Sequence, residues 1–178
     1  MNDINIIPII IVLSIIILIY VIYYNSFQLL LMKINDVESK IDNILRERFD
    51  LLIKISLFIK EHLKEDIMID LDKIKDEELS SFELDRRLDA YSIELYELKI
   101  SNKNILKLDN YIDLEFELKE NEAKLHGYTL YYNDNISKYN RLIRMFPSNV
   151  IAKISRFKER TFFDGKNLND KKINDFKL

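Results

Sequence analysis

From Ile6 to Tyr24 the chain is apolar almost without interruption, IIPIIIVLSIIILIYVIYY, and carries no charge. As a helix rising about 1.5 Å per residue, the segment is roughly 28 Å long, close to the ~30 Å hydrocarbon core of a bilayer. A helix satisfies its backbone groups within one segment, which lipid requires. The pattern therefore predicts a membrane-spanning anchor. A cleavable signal peptide would need a basic stretch first and a small-residue cleavage site after. Here only Asn2, Asp3 and Asn5 stand ahead as polar residues, and Tyr23-Tyr24-Asn25 follows.

Beyond the anchor the period becomes helical. Ile34, Val37, Ile41, Ile44/Leu45, Leu51/Leu52, Ile55 and Phe58/Ile59 recur by threes and fours, the buried stripe of a bundle helix continuing from the anchor without a break. The stretch Asp66 to Glu78, DIMIDLDKIKDEE, loses that period and is expected to fray the first helix and make the first reversal. A second helix reads Leu84, Leu88, Tyr91, Leu95 and Leu98, with Ser80 and Glu83 spaced as a capping box. The Ser101–Asn104 cluster stops it. In the third helix Tyr111, Leu118, Leu125, Tyr132, Tyr139 and Phe146 keep a seven-residue register, predicting one helix of about 35–40 residues packed lengthwise. Pro147 ends it, and a short helix is expected over 148–158.

Composition sharpens this picture by exclusion. Cysteine is absent, which removes disulfides, thiolate metal sites and thiol catalysis. Glycine occurs only at Gly127 and Gly165, so no glycine-rich phosphate cradle exists. With 27 basic and 30 acidic residues the chain lacks the basic stripe of a nucleic-acid binder. No Lys or Arg precedes the anchor, whereas Lys33, Lys40, Arg46 and Arg48 follow it. By the positive-inside rule the short N-terminus faces outward and the body lies in the cytoplasm, in a single-pass protein of the cell membrane.

The residues so assembled resemble the LemA family, membrane-anchored bacterial proteins of helical fold. Tyr24-Asn25, Ile34, Ile41-Asp42, Leu45, Arg48 and Asp50-Leu51 are similar to the family's YN exit and its V…ID..L..R.DL stretch. Downstream, Glu122 leads to YYNDNISKYNRLIRMFPSNVIA. There Tyr132-Asn133, Ile136, Tyr139-Asn140, Ile143, Phe146-Pro147 and Ala152 resemble the family's E…YN..V..YN..I..FP signature. Phe157 and Phe162/Phe163 resemble its closing aromatic positions. Residues 67–108 match poorly, Ile53-Lys54 stands where the family usually has Pro-Asn, and Thr129 stands where an arginine commonly precedes the YN. The resemblance implies a four-helix body on an N-terminal anchor.

Arg48 falls where the first helix's apolar stripe expects a hydrophobe. A buried charge persists only when paired and hydrogen-bonded, and Glu122 holds a comparable inward position on the third helix. The alternative role for Arg48 is to bind an anion or a peptide carboxylate. Tyr132 and Tyr139 read as core rings, while Asn133 and Asn140 are candidates for fixing register. His62 and His126 lack the partners that a metal site or general base needs. The run Asp66, Asp70, Asp72, Asp76 lacks the glycine of a calcium loop.

The expectation is an all-α protein: a transmembrane helix over 1–25 continuing into an antiparallel bundle over 26–163, three long helices plus a short C-terminal one, and a polar tail over 164–178. The membrane is its partner through residues 6–24, and a protein partner or self-association is expected, without cofactor, metal, nucleic acid or evident small-molecule substrate. The interaction candidates are Tyr24, Asn25, Arg48, Glu122, Tyr132, Asn133, Tyr139, Asn140, Phe146 and Pro147. A membrane-tethered coiled-coil scaffold of envelope assembly or division is the rival. A carboxylate hydrolase using His126 would need a concave pocket with converging, pKa-perturbed groups.

Overall fold

The computed structural model describes residues 6–63, 71, 74, 79–101 and 109–164, and every regular element among them is helical. Helix α1 runs Ile6–Leu63 without a break, so the apolar segment and the first bundle helix are one element. Pro8 sits in its first turn, where the missing N–H costs no intrahelical bond. Ser14 returns its hydroxyl to the Ile10 carbonyl at 2.9 Å, which satisfies that donor within the apolar run.

Helix α2 covers Ser81–Ser101. Ser80 N donates to Glu83 Oε2 at 3.1 Å and Glu83 N to Ser80 Oγ at 3.3 Å, which completes the capping box. Helix α3 covers Asp109–Arg144 and passes through Gly127 unbroken. Helix α4 is short, Ser148–Ile154, with Pro147 as its N-cap. It ends earlier than the 148–158 expected, because Arg156 takes a left-handed backbone with φ of 58°. Arg156 N then donates to Lys153 O and Phe157 N to Ala152 O, the paired bonds of a Schellman close.

The structure divides into two compact units that share α1 and α3. One holds α1 up to Asp36 with Tyr132–Phe162, and the other holds Val37–Tyr131 with Phe163. In the second unit the α1 stripe is the core: Val37, Ile41, Leu45, Leu52, Ile55 and Ile59 are each no more than 2% exposed. Leu88, Tyr91 and Leu95 of α2 and Tyr111 and Leu125 of α3 close over it.

Contacts fix the helix directions in this unit. Phe58 faces Tyr111, and Asn121 Nδ2 donates to Ile44 O at 3.1 Å, so α3 runs antiparallel to α1. Lys99 of α2 pairs with Glu115 while Asp89 and Glu122 share Arg48, so α3 is antiparallel to α2 as well. Ser81 bonds Asp42, Arg48 reaches Asp85 and Asp89, and Ser56 meets Tyr91. Those numbers climb together, so α1 and α2 are parallel. The reversal expected over 66–78 lies largely outside the described residues. Two described residues of that stretch are apolar contributors: Leu71 is fully buried, and Ile74 lines a cavity with Phe49 and Leu84. Of the tail expected over 164–178, only Asp164 is described.

One heptad position departs from expectation. Phe146 is 79% exposed although it continues the Tyr132–Tyr139 register. Helix α3 stops at Arg144, two residues earlier, and outside the helix the seven-residue period no longer decides which way a side chain points.

Candidate functional site

Arg48 organises the second unit. Its side chain is 3% exposed, yet it sits on the apolar stripe of α1. Nη1 donates to Asp85 Oδ1 at 3.0 Å; Nη2 donates to Asp89 Oδ1 at 2.7 Å, Ser92 Oγ at 3.2 Å and Glu122 Oε1 at 3.2 Å. Glu122, named from the sequence, is thus one of three carboxylates around the guanidinium. Asp85, Asp89 and Ser92 went unread. They recur at intervals of four and three on α2, one face beside the Leu88/Leu95 stripe, and that spacing was the available signal.

One cation against three carboxylates leaves the site net negative. Burial raises the Asp85 carboxyl above its ordinary range, the charge on Asp89 raises it further, and Arg48 offsets this only in part. The surroundings form an open cleft of about 570 Å³, lined also by Ile93, Tyr96, His126 and Thr129. Asp89 and Glu122 are 59% and 41% exposed, so the negative charge faces solvent. An anion or peptide carboxylate on Arg48, the alternative weighed from sequence, is opposed by that charge. The guanidinium is already surrounded by acid.

The first unit gathers the aromatic candidates. Phe27, which sequence reasoning passed over, is fully buried. Its ring meets Tyr139 edge-on at 5.7 Å and Phe157 at 4.7 Å. Tyr24 stacks on Tyr20 and touches Phe157, both at 5.8 Å between centroids. Burial raises the Tyr139 phenol. Asn140 is 1% exposed and clamps the closing segment: Nδ2 donates to Arg160 O at 2.7 Å, and Oδ1 accepts from Arg160 N at 2.9 Å. Tyr132 is buried and Asn133 half-buried, while Asn25 and Phe146 are exposed. Pro147 caps α4. The candidates therefore fall into two groups, Arg48 with Glu122 in one unit, and Tyr24, Tyr139 and Asn140 in the other.

Among the described residues no group of three or more His, Asp or Glu side chains is placed to hold a metal ion. His62 instead stacks on Phe58, with Nδ1 2.8 Å from the Phe58 carbonyl.

The family comparison matches the description "LemA family" over residues 81–175, more than half of the chain. The chain belongs to the LemA family. The match takes in all of α2, including residues 81–108, where the sequence resemblance was weakest, and both Tyr-Asn pairs. The Asp85–Asp89–Ser92 face and Glu122 thus lie within the LemA region, while Arg48 lies on the helix before it. Thr129, standing where the LemA resemblance expects an arginine, lines the same cleft. In this LemA protein that place therefore adds no second cation opposite the three carboxylates. A search among curated proteins finds no match.

Proposed function

We propose that this is a single-pass, membrane-anchored LemA protein, N-terminus out, whose cytoplasmic bundle binds a protein partner without catalysing a reaction. The observation that carries the anchor is exposure. Ile6 to Ile22 contains fourteen large apolar side chains, from 38% to 66% exposed, and the most apolar window of α1, with mean hydropathy 3.1, buries none of its residues. A helix apolar all round and uncovered by protein has no stable place in water, and a bilayer supplies its cover.

The cleft at Arg48 supports the binding role. Exposed Ile93 and Tyr96 flank exposed acid, which suits a lysine or arginine of a partner with an apolar neighbour. A hydrolase requires a concave pocket, and this cleft is one, lined by both His126 and Asp85, whose carboxyl is raised. Its carboxylates and its serine are otherwise engaged. All three carboxylates bond the same guanidinium, and the Ser92 hydroxyl donates to Leu88 O at 2.9 Å, so no nucleophile faces a base.

A photo-crosslinker at Tyr96 in the full-length protein tests the binding role in cells. The expected result is an adduct with one foreign protein that disappears when Asp89 and Glu122 are both changed to Gln. Adducts only with a second copy of the chain would favour the self-assembling scaffold instead. An adduct indifferent to those two substitutions would remove the cleft from the interaction.

A further inference from the structure

Helix α4 is apolar on two sides. Ile151 and Ala152 are 5% and 1% exposed and pack into the first unit. Phe146, Val150 and Ile154, spaced by four, are 79%, 47% and 66% exposed, with Met145 beside them at 47%. A short helix on a water-facing surface hides one face and wets the other. The second apolar face here needs its own cover.

Its position says what that cover is. Tyr20 OH lies 3.1 Å from Ser155 Oγ, and Tyr24 packs on Phe157. Tyr20 is within the apolar segment, one turn before its end at Tyr24. The residues following α4 are therefore level with the last turn of the span, where tyrosines sit at a membrane–water interface.

Charge agrees with position. Residues 141–160 carry Arg141, Arg144, Lys153, Arg156, Lys158 and Arg160 against Glu159 alone, in a chain whose net charge is -3. Glu159 is taken by Arg144 through two bonds of 2.7 Å. Arg156 is informative, because its φ of 58° is a conformation that glycine fills without strain. An arginine is kept there all the same, exposed beside exposed Lys153 and Lys158.

We infer that α4 and its flanking turns form a second membrane contact, with Phe146, Val150 and Ile154 inserted at the headgroup level and Lys153, Arg156 and Lys158 on anionic lipid phosphates. The inference rests on the reading of residues 6–24 as a span. It places a patch more than a hundred residues away in sequence on the same interface as the end of the anchor, the arrangement of an interfacial amphipathic helix beside a transmembrane one.

The absence of cysteine makes the test direct. Full-length Val150→Cys, Ile154→Cys and Leu18→Cys variants, each carrying a solvent-sensitive fluorophore, are reconstituted in vesicles of equal parts phosphatidylcholine and phosphatidylglycerol. Nitroxide lipids labelled at shallow or deep positions then report depth. Shallow nitroxides should quench the labels at 150 and 154, and deep ones the label at 18. Quenching at 150 and 154 should fall in phosphatidylcholine alone; unchanged quenching there would overturn the anionic part of the proposal. Labels at 150 and 154 quenched by aqueous iodide and by no lipid, while 18 remains lipid-quenched, would overturn the contact and leave the anchor standing. Loss of lipid quenching at 18 would overturn the anchor and this contact together.

Discussion

Arg48 is held by three carboxylates because a guanidinium cannot shed its charge when buried. Its removal is asymmetric in effect. Arg48→Met fills the space with apolar atoms but leaves Asp85 at 19% exposure beside Asp89 and Glu122 with no counter-charge. Breaking a buried pair from one side costs about 3 kcal/mol or more, so denaturant unfolding of Arg48→Met should show a loss of about that size. The double variant Arg48→Met, Asp85→Asn should recover part of it. Asp85→Asn alone acts through pH. A carboxyl whose folded pKa is raised stabilises the fold below its unfolded pKa and loses that contribution as pH rises through the folded value. At neutral pH the wild type therefore carries the cost of a charged Asp85. Asp85→Asn should melt higher there, and the difference should vanish as the pH is lowered through the raised Asp85 pKa. A gain that grew with acidity would contradict the site's net negative charge. The sequence pointed to Arg48 because a charge interrupted an apolar stripe. It did not point to Asp85, Asp89 and Ser92, since acids on a polar helix face look the same in sequence whether solvated or turned toward a partner.

At the scale of elements, two backbone positions carry the less suitable residue. Gly127 is in the middle of α3, and a Cβ added there meets nothing within 4 Å. Gly127→Ala should stabilise the protein by roughly 0.5–1 kcal/mol, read as an upward shift in thermal melting. Arg156 presents the converse case, a side chain at a left-handed C′ position. Arg156→Gly should stabilise by about 1 kcal/mol in detergent, while weakening the lipid contact proposed for α4. Melting curves in detergent and in vesicles separate the two effects. Helix existence was legible throughout. The heptads of α3 and the three-four stripe of α1 name positions that proved buried, among them Ile41, Leu45, Leu52, Leu125 and Tyr139. The failures came at helix ends. Phe146 obeys the heptad but lies beyond the last hydrogen-bonded turn, and α4 ends at Ile154 through a left-handed residue that has no glycine to announce it.

For the whole molecule, the parallel course of α1 and α2 was the least legible feature. Periodicity reports which face of a helix is buried and says nothing of its direction. The acidic stretch DIMIDLDKIKDEE reads as a polar turn although it supplies fully buried Leu71. The continuous α1 joins an apolar segment with no internal protein cover to a helix whose stripe is the body's core. The function proposed above requires the apolar segment to cross a membrane with the body on the cytoplasmic side. Single cysteines placed at Asn5 and at Lys119 in the cysteine-free chain, probed in intact and permeabilised cells with a membrane-impermeant maleimide, test that claim most directly. Labelling is expected of Asn5→Cys in intact cells and of Lys119→Cys only after permeabilisation. Labelling of Lys119→Cys in intact cells, or of Asn5→Cys only after permeabilisation, would contradict it.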